Sequence, residues 1–108
     1  MMANFKNQVM PFVIHASRKW PVHPDVIAQL ICDLSMDQSK LIKQNNFFAI
    51  AGPNKKFHTY STPIDGIDAG MHLLTNNPQF TNQKIGTLKA NPKLQLAKIR
   101  MILGIQAK

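Results

Sequence analysis

Acid–base or metal chemistry in this chain has to come from few side chains. Its five acidic residues, Asp25, Asp33, Asp37, Asp65 and Asp68, are all aspartates, and there is no glutamate. The four histidines, His15, His23, His58 and His72, do not form a pair of the H-E-x-x-H kind, so no metal and no other cofactor is expected. The single Cys32 lies in the apolar run 26–34, which excludes an internal disulfide and a thiolate metal site and reads as a buried small side chain. Thirteen Lys and Arg against these five acids give a formal net charge of +8. That charge attracts polyanions, among them nucleic acid, an anionic membrane and the bacterial envelope, without choosing between them.

The elements that must position these groups are mostly helical. A length of 108 residues with 44% hydrophobic content suits one domain spanning 1–108. Apolar residues recur at helical spacing over 5–19, where Pro11 marks a start or a kink. The turn at 20–24 then leads, through Pro24, into a second helix carrying Val26, Ile27, Leu30, Ile31 and Leu34. Residues 39–44 predict a short third helix, ended by Asn45-Asn46. The segment 47–60, with Gly52-Pro53-Asn54 at its centre, predicts a short hairpin or irregular lobe. Thr62-Pro63 opens a helix that Asn76-Asn77-Pro78 closes, residues 80–91 read as a loop, and a last helix runs from Pro92 to Gly104 with Lys93, Lys98 and Arg100 on a basic outer face. No stretch approaches the length of a membrane span, and the first fourteen residues lack the pattern of a secretory signal. Synthesis in the cytoplasm, with delivery to the periplasm by another route or carriage in a virion, is the corresponding expectation.

Five segments, in order, resemble the glucosaminidase domain family, the lysozyme-like domains of flagellar-type peptidoglycan hydrolases and many autolysins. Val22-His23-Pro24-Asp25-Val26-Ile27-Ala28-Gln29 is similar to "V-P-P-S-V-I-I-A-Q" at the entry to the catalytic helix. Gln38-Ser39-Lys40-Leu41 resembles "G-x-S-x-L", and Asn45-Asn46-Phe47-Phe48-Ala49-Ile50-Ala51-Gly52 resembles "N-N-L-F-G-I-K-G". Phe57-His58-Thr59-Tyr60 with Thr62-Pro63 resembles "F-R-x-Y-x-S-P-E-E-S", and Leu73-Leu74 with Asn76-Asn77-Pro78 resembles "L-L-x-x-N-P". The resemblance covers roughly residues 9–80.

The resemblance implies a mainly α (α+β) fold: a lysozyme-like helical domain with a small, reduced β-hairpin lobe. It also implies a glycan-strand substrate, cleaved between N-acetylglucosamine and N-acetylmuramic acid. The family continues "A-L-E-S-G-W-G" after Ala-Gln, and its general-acid Glu falls on Asp33, its Trp on Met36 and its Ser-Gly pair on Leu34-Ser35. Asp33 is therefore the candidate catalytic residue, and Gln29, Asn46, Phe48 and Tyr60 are the candidate substrate-binding residues. Cleavage needs a protonated carboxyl and usually a second carboxylate roughly 5 to 9.5 Å away, yet residues 42–62 hold no acid. Asp33 is also a methylene shorter than Glu, and a misplacement near 1 Å costs about a hundredfold in rate. Two readings follow: a peptidoglycan-binding or weakly hydrolysing domain, or a catalytically inactive lysozyme-like domain serving as a structural or assembly component of a phage virion or other complex. Nucleic acid, without a recognised binding motif, ranks last as a partner.

Overall fold

Proline and a polar cap set the start of most helices. The structure, a computed structural model, describes residues 2–35, 42–52 and 56–105. Helix α1 is Met2–Lys19, α2 is Pro24–Ser35, α3 is Pro63–Thr75, α4 is Pro78–Asn82 and α5 is Pro92–Leu103, with a 3-10 turn at Ile85–Leu88. Thr62, Asn77 and Asn91 accept from the backbone N–H of Asp65 (3.1 Å), Gln79 (2.9 Å) and Leu94 (3.4 Å). Each cap satisfies an orphan N–H, while proline at the first helical position removes another. His23 does the same for α2, its Nδ1 accepting from Asp25 N at 3.0 Å. Helix α5 ends at Gly104, where φ of +72° is reached without a Cβ penalty and Ile105 N returns to Arg100 O at 2.9 Å. Pro11 stands inside α1, which runs on to either side of it.

The core gathers around α2. Val26, Ile27, Leu30 and Ile31 meet Val9, Val13 and Ala16 of α1, Ile67, Met71 and Leu74 of α3, and Phe47, Phe80, Ile85 and Ile99. Helix α1 packs on α2 and α3, and α5 packs on α2 and on the 3-10 turn. Two polar side chains tie this assembly together. Gln95 is 0% exposed; its Oε1 accepts from His23 N at 2.9 Å, and its Nε2 donates to Pro21 O and Ile85 O, each at 3.0 Å. Lys89 Nζ donates to Ser17 O and, at 3.2 Å, to Trp20 O, closing the C-terminal end of α1 with a cation.

Two expectations from sequence change. The reduced hairpin lobe is not built of strands: among the described residues, the segment after α2 forms one isolated antiparallel bridge, Ala51 with Phe57. That bridge carries Gly52 N–H to Lys56 O (2.8 Å) and His58 N–H to Ile50 O (3.1 Å), and Asn46 braces it, its Nδ2 donating to Ile50 O (2.8 Å) and His58 O (3.0 Å) while its Oδ1 accepts from Ile50 N (2.8 Å). The side chain thus ties the segment to itself beside the single bridge. Residues 80–91 are likewise more ordered than a loop, since Asn77 and Pro78 start α4 and the buried Phe80 and Ile85 anchor it and the 3-10 turn. Of the short helix expected over 39–44, Ile42 and Lys43 are helical, and residues 36–41 lie outside the described residues.

Gln95→Leu keeps much of the side-chain volume but strands His23 N–H, Pro21 O and Ile85 O in the interior. Orphaned buried groups cost about 1–3 kcal/mol each, so urea unfolding should report a loss of about 3 kcal/mol or more; a loss under about 1 kcal/mol would mean that this amide does not hold the helices together.

Candidate functional site

Asp33 lies in the last turns of α2, one turn beyond Gln29, whose Nε2 donates to Asp33 Oδ1 at 3.2 Å. Across from it, Arg100 of α5 closes a two-pronged contact: Nε to Oδ2 at 2.9 Å and Nη2 to Oδ1 at 3.2 Å. The pair is at the surface, yet most of both side chains is covered, with 20% and 15% left exposed. Both carboxylate oxygens therefore accept from cationic or amide N–H groups. The carboxylate is thus engaged as an acceptor by its neighbours on both α2 and α5. The geometry is that of a structural clasp between α2 and α5.

The other described carboxylates are placed apart from this one. Asp25 is beside His23 at the opposite end of α2, eight residues or about 12 Å of helix rise from Asp33, beyond the reach of a second catalytic carboxylate. Asp65 sits in the first turn of α3. Asp68 accepts from Trp20 Nε1 at 2.9 Å and Lys19 Nζ at 3.2 Å, tying the end of α1 to α3. Asp37 lies outside the described residues.

The remaining candidate residues form a second group, on the loop before α3. Asn45, at φ +56°, donates from Nδ2 to Tyr60 O at 2.9 Å, and Tyr60 N returns to Gln44 O at 2.8 Å. Asn46 is 0% exposed, with both amide hydrogens on backbone carbonyls, so it presents no donor to a sugar. The loop lies directly on the backbone of α3, where two glycines a turn apart make room. A Cβ at Gly66 would stand 1.7 Å from Asn45 O, and one at Gly70 would stand 2.1 Å from Phe48 Cδ2. The Tyr60 ring tilts toward His58, their centroids 6.2 Å apart. Partial burial raises the Tyr60 hydroxyl above its ordinary pKa of 10.0, so it stays protonated and able to donate through neutral pH.

An apolar cavity of about 140 Å³ lies between α2 and the loop. Leu30 and Leu34 of α2, Phe48 and Ile50 of the loop, Gly70, Leu73 and Leu74 of α3 and Leu103 of α5 line it. Phe48 thus faces the α2 wall, while the amide of Asn46 is turned to backbone and Gln29 Nε2 to Asp33. The sequence reading missed Arg100 as a partner of Asp33. It read the residue as part of a basic outer face, and across 67 positions the only signal is its charge sign. Among the described residues, no group of three or more His, Cys, Asp or Glu side chains is placed to hold a metal ion, and no helix is long and apolar enough to cross a membrane. No protein-family model, curated protein or solved structure matches this chain.

Two measurements probe the loop. Gly66→Ala drives a methyl into the Asn45 carbonyl, so it should cost about 3 kcal/mol in denaturant unfolding, the upper end for overpacking, because the blocking atom is backbone; a cost within about 0.5 kcal/mol would mean the loop is free to move. Tyr60 is the sole tyrosine, so phenolate absorbance reports it alone. Its titration in the folded protein should have a midpoint above 10.0 and fall back on unfolding; any stability from its neutral form is present below the unfolded value and lost as pH climbs through the folded one.

Proposed function

We infer that the chain is a non-hydrolytic lysozyme-like domain that acts by binding, with the peptidoglycan glycan strand as its partner. The observation that carries this is the Arg100 fork on Asp33: the position resembling the general acid of the glucosaminidase family holds a carboxylate whose two oxygens both accept. The choice of partner rests on the five ordered segments that resemble that family and on a net charge of +8, which suits the anionic bacterial envelope. Binding in the absence of cleavage needs no second carboxylate, and the side chains that hydrogen-bond Asp33 are an amide and a guanidinium.

A second reading, a structural or assembly component of a virion or other complex, is favoured by the cavity between α2, the loop and α3. Its lining of Leu30, Leu34, Phe48, Ile50 and Leu73 suits an apolar side chain of a partner protein better than a sugar hydroxyl, which would lose its hydrogen bonds there.

Purified peptidoglycan incubated with the natural chain, Asp33→Asn and Arg100→Gln should yield no reducing ends with any of the three, while the natural chain sediments with the walls. Reducing ends released by the natural chain and abolished by Asp33→Asn would overturn the non-hydrolytic reading. Failure both to cleave and to sediment would remove the glycan strand as partner and leave the assembly role.

A further inference from the structure

Helix α5 is apolar on two sides. Its inner side places Gln95 and Ile99 fully in the core, with Leu96 and Ile102 packed against it. Its outer side carries Leu94, Ala97 and Met101, three to four residues apart and so on one stripe of the helix. These do not pack inward: Met101 is 79% exposed and Leu94 41%. At 100° per residue, Lys93 lies along one edge of the stripe and Lys98 along the other. Among the described residues neither lysine forms an ion pair, and the helix sequence PKLQLAKIRMIL contains no carboxylate.

The pattern narrows the partner. A soluble polyanion would engage the two lysines and leave the apolar stripe in water. A protein partner needs about 800 Å² on each side for a standard interface. Twelve residues of helix give a face about 18 Å long and roughly 10 Å wide, near 180 Å², which falls well short. A helix lying in the plane of a bilayer surface needs only such a face: apolar side chains sink to the acyl boundary, and lysines on both flanks reach the headgroup phosphates. We propose that the outer face of α5 binds the surface of an anionic phospholipid bilayer, with Leu94, Ala97 and Met101 entering the interface and Lys93 and Lys98 against lipid phosphates. The remaining positive charge of the chain draws it to the same surface.

The full chain is to be sedimented with vesicles of phosphatidylcholine alone and of phosphatidylcholine mixed with phosphatidylglycerol; both lack peptidoglycan, so the result does not depend on the glycan reading. Binding should favour the mixed vesicles at least tenfold and weaken as salt is raised. Lys93→Gln and Lys98→Gln should each lower it roughly fivefold. Met101→Asp should lower it further still with the melting midpoint unchanged, since that side chain is already in solvent. Absence of binding to the mixed vesicles, or binding that Met101→Asp leaves intact, would overturn the proposal. A dimer in gel filtration that Met101→Asp dissociates would assign the stripe to a second copy instead.

Discussion

Gln95 is fully buried and joins three parts of the chain that are distant in sequence: the α1–α2 turn at Pro21 and His23, the 3-10 turn at Ile85, and α5 itself. An amide in an apolar interior is tolerated only when its hydrogen bonds are made, and this one can be made in one orientation. Turning it over would set Nε2 against the His23 N–H and Oε1 against two carbonyls. The rotation of α5 about its own axis is fixed by that requirement. Five residues further along α5, Arg100 then comes to face Asp33, ten residues beyond His23 on α2. An ion pair at a surface contributes about 0–1 kcal/mol, whereas each group orphaned at Gln95 would cost about 1–3 kcal/mol. The amide therefore sets the helix arrangement, and the Asp33 clasp follows from it.

The loop before α3 obeys a related constraint on the other side of α2. Asn46 takes two carbonyls and one N–H of its own loop and so braces the chain where it folds back through a single bridge. Gly66 and Gly70 allow this folded-back backbone to rest on α3 with Asn45 O and the Phe48 ring where side chains would otherwise stand. Phe48 is pressed toward Leu30 and Leu34 as a result, and the space between loop and α2 is lined by carbon. What the chain offers to a ligand there follows from how the loop satisfies its own backbone.

The parts of this arrangement that local chemistry decides were legible in the sequence. Thr62-Pro63 and the proline at Pro92 mark helix starts whose effect spans one helical turn, and the spacing of Val26, Ile27, Leu30 and Ile31 gives α2 a buried face directly, whereas Asn77-Pro78 reads as the end of one helix and also starts the next. Between the hairpin and the irregular lobe that the sequence allowed over 47–60, one isolated bridge is formed, and an asparagine in a loop does not reveal which carbonyls it will meet. Phe80 and Ile85 belong to pieces of five and four residues, too short for any period to show. Asp33 could be picked out by its place in a resembling motif, but its chemistry depends on a guanidinium 67 positions away, and no local pattern encodes that pairing.

Charge follows the same division between local and distant. Of the cations that give the chain its net charge of +8, several are already committed inside the fold. Lys89 closes the end of α1, Lys19 holds Asp68, and Arg100 holds Asp33. A basic face drawn through Lys84, Lys89, Lys93, Lys98 and Arg100 is therefore not a continuous surface for a polyanion, because two of its five members are turned to protein. Exposed charges act together only within a screening length of about 8 Å in physiological salt. Lys93 and Lys98 are five residues, about 7.5 Å of rise and about 140° of turn, apart on one helix, so each meets what lies against α5 from its own edge of the stripe. Net charge draws the chain toward anions from a distance, while the few cations left unpaired on one face determine which anionic surface it can lie against.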